Sequence, residues 1–382
     1  MRVLQSDFLT TGPEVPAFEA AFAAYVGAPH AVACANGTAA LHLAALAAGL
    51  EPGDQAVVPA VSFVATANAV RYAGAEVVFA DVDPDNGCMT TETLAEAMGR
   101  ADPARLKAAF VVHMGGQPAD LPAIAALARG AGLKLVEDAA HAVGSDYRLG
   151  DGSEGRIGDA RLSDFVCFSL HPVKTITSGE GGLVTTRDPA AARRLERLRS
   201  HGLVRESRDW VEPAIGRDPA TGEANPWAYE QQMLGFNYRL TDIQAALGRS
   251  QLGKMERFAA RRRRLAALYA EHLADLAPVV RLASRAAEGS NPVLHLMIAL
   301  IDFAGAGVSR GRVMRRLADQ GVGSQVHYIP IHRQPYYQAL GPQPELPGAE
   351  AYYARCLSLP LFNGMADEDV GRVADALKRA LG

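Results

Sequence analysis

A helix start, an acid and a lysine in the first half of the sequence have the types and settings that carbonyl chemistry needs. Asn36, Gly37 and Thr38 lead directly into the apolar run "AALHLAALAAGL". Glycine allows a tight entry, Thr38 can cap, and the exposed amides of a first helical turn attract an anion such as a phosphate. A plain capped helix is the other reading of the same residues. Asp138 closes the run "KLVEDAA". A carboxylate buried at a strand end needs a positive or protonated partner, such as a ring N–H⁺; otherwise it caps the next helix. Lys174 follows "DFVCFSL" and precedes the turn "TSGEGG". Most lysines are solvated charges, but in a partly desolvated pocket the pKa falls and the free amine attacks a carbonyl. Ser169 and Gly179 beside it suit phosphate contact and close backbone approach. Phe63, in "VPAVSFVATANAV", suits either stacking on a ring or packing in the core. Taken in that order along one region, these groups are what pyridoxal 5′-phosphate (PLP) requires.

The elements that must position them alternate. "QAVVPA", "EVVFADVD", "AAFVVHM", "KLVEDAA" and "DFVCFSL" read as strands. "TAALHLAALAAGL", "SFVATANAVRYAG", "DLPAIAALARGAG" and "PAAARRLERLRSHG" read as helices between or after them. Such alternation predicts a doubly wound, mostly parallel α/β sheet with helices on both faces, and ligands at the carboxyl ends of its strands. We assign residues 1–240 to this larger unit. Within it, residues 203–234 are polar, aromatic and rich in Pro and Gly, too long for an idle connection, and read as a lid or partner-contact loop. Residues 241–276 carry one long helical pattern, followed by strands near "VLHLMIALIDF" and a helix at "GRVMRRLADQG". They predict a smaller C-terminal α+β unit over 241–382. The run Arg261 to Arg264 reads as a solvated helix face pairing with its neighbours.

The chain has 382 residues, 49% apolar and 21% charged, with a formal net charge of −4. This balance gives no electrostatic reason to expect nucleic acid or an anionic membrane as a partner, and favours a small molecule. The cysteines, Cys34, Cys88, Cys167 and Cys356, form no CxxC or Cys/His cluster, so neither a disulfide framework nor a metal site is indicated. No apolar run approaches the ~20 residues of a membrane span, and the N-terminal stretch lacks a signal pattern. A cytoplasmic location is expected.

The residues also carry a family likeness. Through "FLTTGPEVPAFEAAFAAYVGA", "NGTAALHLA", "ADVDPDN", "VEDAAHAVGS", "FSLHPVKTITSGEGGLVTT" and "GFNYRLTDIQAALG", the chain resembles the DegT/DnrJ/EryC1/StrS family of PLP-dependent nucleotide-sugar aminotransferases over nearly its whole length. "HPVKTITSGEGG", "NPWAYEQQMLGFNYRLTDIQAALG" and "VHYIPIHRQPYY" look most like the branch that aminates a UDP-linked 4-keto-6-deoxy sugar in pseudaminic acid biosynthesis. The resemblance implies an aminotransferase fold of type I and a homodimer with shared active sites. L-glutamate would be the amino donor, leaving as 2-oxoglutarate. By position, Lys174 matches the lysine that holds PLP covalently and shuttles protons, and Asp138 the acid on the pyridine nitrogen. Phe63 matches the stacking aromatic, and Gly37, Thr38, Ala39 and Ser169 the phosphate contacts. His141 falls where the family often has glutamine near the ring hydroxyl. Asn237 matches an asparagine that reaches the phosphate of the other subunit. Phe8, Tyr238, Arg239, His327 and Tyr328 fall in segments expected to face the sugar or the donor. Relatives that dehydrate sugars carry histidine in place of the lysine, which Lys174 argues against. A non-catalytic PLP or nucleotide-sugar binding protein would not need lysine, acid and long loop together. The nucleotide (UDP, dTDP or GDP), the epimer and the carbon aminated (C3 or C4) stay open.

Overall fold

The computed structural model describes residues 2–283 and 290–382. Its main sheet is built from β1 (His30–Cys34), β2 (Gln55–Pro59), β3 (Glu76–Ala80), β4 (Leu106–Val112), β5 (Lys134–Asp138), β6 (Phe165–Ser169) and β7 (Gly182–Thr186). They lie in the spatial order β1-β7-β6-β5-β4-β2-β3. Strands β2 to β6 pair in parallel, whereas β7 is antiparallel to both β6 and β1. The helices are α1 (Glu14–Val26), α2 (Gly37–Ala47), α3 (Ala65–Tyr72), α4 (Thr91–Arg100), α5 (Leu121–Gly130) and α6 (Pro189–Arg199). Every residue of β6 and β7 is buried, the signature of a strand covered on both faces. The sheet is thus the mostly parallel one that the alternation predicts.

Strands β1 and β7 lie outside the sequence expectation. "HAVAC" is short and alanine-rich, and "GLVTT" hides behind the glycines of the turn before it. The reversal of β7 has a simple cause. A parallel return needs a crossover of a dozen or more residues, usually a helix, and no helix lies between Ser169 and Gly182.

The helical pattern of 241–276 divides at Gly253, giving α7 (Asp242–Leu252) and α8 (Met255–Leu273). Glycine is among the poorest helix formers, which favours a break there. Thr241 and Gln244 form a reciprocal capping box at the start of α7. The buried Asp242 carboxylate accepts the amides of Gly12 and Glu14, both at 2.8 Å, tying α7 to the start of α1. Ala245, Leu252, Met255 and Ala259 all pack in the core of the main sheet. A second core begins at Leu265 and takes in β8 (Val280–Leu282), β9 (Met297–Ile301) and β10 (Cys356–Leu359), a three-stranded antiparallel sheet. Helices α9 (Arg310–Asp319) and α10 (Asp367–Leu381) pack there too. We therefore propose that the smaller unit begins inside α8 rather than at residue 241.

The arginine run on α8 departs from a solvated face. Arg262 is 2% exposed and donates through Nη1 to the carbonyls of Leu294, His295 and Leu361 at 3.1 to 3.2 Å. Arg261 and Arg264 do pair with Asp367, and Arg263 reaches the Pro292 and Asn291 carbonyls. One arginine of the run is thus an internal strut. Residues 203–234 fold on themselves: Leu203–Val204 pairs with Glu230–Gln231, and the Trp210 indole donates to the Val204 carbonyl at 3.1 Å. Among their exposed side chains are several large apolar ones, with Ile215, Trp227 and Leu234 more than 70% exposed. Among the described residues, no helix is long and apolar enough to cross a membrane.

Candidate active site

The carboxyl ends of β5 and β6, the start of α2 and the entry to α3 converge on one cavity of about 440 Å³. At its α2 end, Asn36 has extended backbone and its Oδ1 accepts the Ala39 amide at 2.8 Å. Asn36 is therefore the cap, in place of Thr38. The Ala39 amide is taken up by this cap, and Ala39 does not line the cavity. The amides of Gly37 and Thr38 make no hydrogen bond to a described residue. A Cβ on Gly37 would stand 2.8 Å from that of Ser169, so a glycine is needed for this helix start to lie against the end of β6. Two free amides and the Thr38 and Ser169 side chains thus line one end of the cavity, a setting for a phosphate.

At the far wall is Asp138. Its Oδ1 accepts the Ala140 amide at 3.1 Å and its Oδ2 the Thr66 hydroxyl at 2.6 Å. Thr66 and Ser62 were absent from the sequence reading; their only visible signal is a pair of hydroxyls one helical turn apart in "SFVAT". Between the two ends lies Lys174, half-buried, its Nζ without a hydrogen bond or ion pair to any described residue. Desolvation pushes its pKa down to about 8, with the Asp138 carboxylate opposing. Phe63, 57% exposed, flanks the opening with its ring centroid 6.0 Å from that of Tyr328.

Imidazoles line the remaining wall. His141 Nδ1 accepts the Gly115 amide at 3.4 Å, and its Nε2 is 3.3 Å from the Tyr328 hydroxyl. His295 lies behind it, ring centroids 4.8 Å apart. Burial, then the positive charge of Lys174, holds both well below the usual histidine range. His327, with Nδ1 2.8 Å from the Ser358 hydroxyl, is pushed down to about 4 by the same causes. Burial raises the Tyr328 phenol. Near neutral pH these groups are uncharged, leaving Lys174 as the amine that titrates in the working range. His171, at the rim, stands 3.9 Å from Glu180.

Gly37, Thr38, Phe63, Asp138, His141, Ser169, Lys174, His327 and Tyr328 therefore share one cavity, as the sequence reading expected of a common site. Phe8, Asn237, Tyr238 and Arg239 do not line it, and their expected contacts are not made within the chain. Phe8 and Asn237 are exposed, Asn237 bridging through its backbone to Ser200. The Tyr238 hydroxyl is 3.3 Å from His42 Nδ1 on α2, and its ring stacks on Phe236.

The residues present fit PLP: free amides for the phosphate, a carboxylate for the ring nitrogen, an aromatic face, and a buried amine with no partner for the aldehyde. A sheet of this topology with such a site is suited to a PLP-dependent enzyme. The profile of the DegT/DnrJ/EryC1/StrS aminotransferase family matches residues 1–378, and the chain belongs to that family. It is a PLP-dependent sugar aminotransferase. Among solved structures, it is similar to the aminotransferase TlmJ from Streptoalloteichus hindustanus, at 33% identity and a TM-score of 0.85, covering 100% of this chain and 94% of that one. DesI, solved in the presence of its TDP-sugar product, is 34% identical with a TM-score of 0.84, over 100% of this chain and 88% of that one. PseC from Helicobacter pylori, an aminotransferase involved in the biosynthesis of pseudoaminic acid, is 26% identical with a TM-score of 0.86, over 100% and 94%.

Proposed function

We propose that the enzyme moves the amino group of L-glutamate to C4 of a UDP-linked 4-keto-6-deoxy sugar, UDP-2-acetamido-2,6-dideoxy-β-L-arabino-hex-4-ulose, in the making of pseudaminic acid or a related surface sugar. The observation that carries this reading is where the branch-like segments fall: "HPVKTITSGEGG" brings Lys174 to the cavity, and "VHYIPIHRQPYY" brings His327 and Tyr328. The fold likeness to PseC supports it. A TDP-linked keto sugar is the second reading, favoured by the higher identity to DesI.

Bound PLP supplies an aldehyde that takes up the amino group and a ring that delocalises the electron pair released at the donor carbon. The chain does the rest. The Gly37 and Thr38 amides and the Thr38 and Ser169 hydroxyls would anchor its phosphate, and Phe63 would lie against its ring. Asp138 would keep the ring nitrogen protonated. Lys174 Nζ would hold the cofactor at rest and then be free for acid–base work. It then removes the proton from the α-carbon of glutamate and, in the second half-reaction, delivers one to C4 of the sugar. Neutral imidazoles around it do not compete for that proton.

Phe8, Asn237 and Arg239 lie outside their own cavity, and we assign them to the site of a second copy in a homodimer. The exposed large apolar side chains of residues 203–234 support such a partner, since surface of this kind is covered at contacts between chains. Two measurements test the function. L-glutamate alone should convert the cofactor absorbance of the wild type, and Lys174→Ala should bind PLP yet give no turnover; normal turnover in that variant would sink the assignment. The amino-loaded enzyme should then react in a single turnover with the UDP-linked 4-keto sugar in preference to dTDP- or GDP-linked ones. Preference for a dTDP 3-keto sugar overturns the substrate reading and leaves the family membership intact.

A further inference from the structure

The Asp138 carboxylate is approached from the protein side by a chain of hydroxyls. Thr66, in the first turn of α3 and fully buried, has three oxygens around its Oγ1: Asp138 Oδ2 at 2.6 Å, Ser62 Oγ at 2.7 Å and the Phe63 carbonyl at 3.3 Å. It has one proton to give. A carboxylate anion only accepts, and a hydrogen bond to a charge is the strongest available, so that proton goes to Asp138. The short contact with Ser62 must then be one in which Ser62 donates. The chain runs one way, from Ser62 to Thr66 to Asp138.

The other carboxylate oxygen is held by the Ala140 amide at 3.1 Å. With one donor on each oxygen the plane of the carboxyl group is fixed. A carboxylate keeps further lone pairs, and these are left for a donor inside the cavity. We propose that Thr66 is a positioning residue for Asp138, with Ser62 setting the direction of the Thr66 proton, so that the carboxylate meets the cofactor ring nitrogen in one orientation. The proposal rests on the reading that Asp138 faces that nitrogen. It also gives the entry to α3 two duties, because Phe63 on the same turn flanks the cavity opening.

The test is cofactor affinity of the apoenzyme, measured with PLP and with its 1-deaza analogue, in which a carbon replaces the ring nitrogen. The wild type should prefer PLP. Thr66→Val keeps the shape of the side chain and removes the hydroxyl. It should weaken PLP binding roughly tenfold, the scale of one hydrogen bond to a charged group, while analogue binding stays within about twofold, as for a site whose other contacts are intact. Thr66→Ser should restore the preference, and Ser62→Ala should lose part of it. Turnover of the loaded enzyme should fall in the same order, in kcat more than in KM. Equal weakening of both ligands by Thr66→Val, or no rescue by Thr66→Ser, would show a merely structural hydroxyl and overturn the proposal. Should Thr66→Val fail to fold, Ser62→Ala decides alone, and an unchanged preference in it counts against the relay. A wild type with no preference for PLP over the analogue overturns the reading of Asp138 itself, whatever the sugar substrate proves to be.

Discussion

Lys174 shows what burial does to a single amine. Its pKa in the folded chain is lowered to about 8, so below that pH the amine is protonated and cannot attack. Covalent capture of PLP by the apoenzyme should rise with pH through about 8 and then level, which stopped-flow absorbance will show. Stability follows with a definite sign. Between about pH 8 and the ~10.4 of a free lysine, the unfolded chain binds more protons than the folded one, so apoprotein stability gains as pH rises through that window. Lys174→Met removes the buried cation. Its apo form should melt above wild type at pH 7, the gap closing toward pH 10; an unchanging gap would mean that the amine is not desolvated. Asp138 was legible because it ends an apolar run, and Lys174 because it follows another, precedes a glycine-rich turn and shares the region with that acid and the helix start. The cap was not, since Asn36 and Thr38 both have side chains that cap and only backbone geometry separates them. Thr66 was hidden because a threonine in a first helical turn resembles any helix start.

Elements were legible where their pattern was strong and ambiguous where packing decides. Strands β2, β4, β5 and β6 announced themselves as apolar runs, whereas β1 and β7 are held by neighbours far away in sequence, which no local pattern records. Helix α8 carries the sharpest contrast. Four consecutive arginines on a helix must point in different directions, and periodicity alone does not say which faces a core on only one side. Arg262 faces inward, and burial pushes its pKa down to about 10. Arg262→Met should leave the carbonyls of Leu294, His295 and Leu361 without this donor and lower unfolding stability by about 3 kcal/mol, near 1 for each lost bond. Arg264→Ala, exposed beside Asp367, should change it by less than about 0.5 kcal/mol. Urea unfolding of the two variants checks both values, and equal effects would contradict the strut.

At the scale of the molecule, Phe8, Asn237 and Arg239 stand outside the chain's own cavity. In the homodimer we propose, Lys174→Ala and Asn237→Ala chains are each inactive alone for different reasons. A heterodimer rebuilds one complete site, from the Lys174 of one chain and the Asn237 of the other. Random mixing should therefore recover roughly a quarter of wild-type activity per site. No recovery between two folded parents would mean that the sites are not shared. Strand and helix patterns do not reach this level: residues 203–234 are legible as a lid or partner-contact loop from their length and composition, but which partner they would meet is not written in any local pattern.

Strand β7 has a further consequence. Among the described residues it alone pairs with β1, and β1 leads into the helix start that lines the cavity. During translation, β1 and α2 emerge long before Gly182–Thr186 leaves the ribosome, and until then β1 has no place in the sheet. The helix start and the strand that completes its side of the sheet are thus far apart in sequence. A chain cut before Gly182 would therefore keep Asp138 and Lys174 but leave β1 unpaired beside the helix start, and should bind PLP less tightly than the full chain.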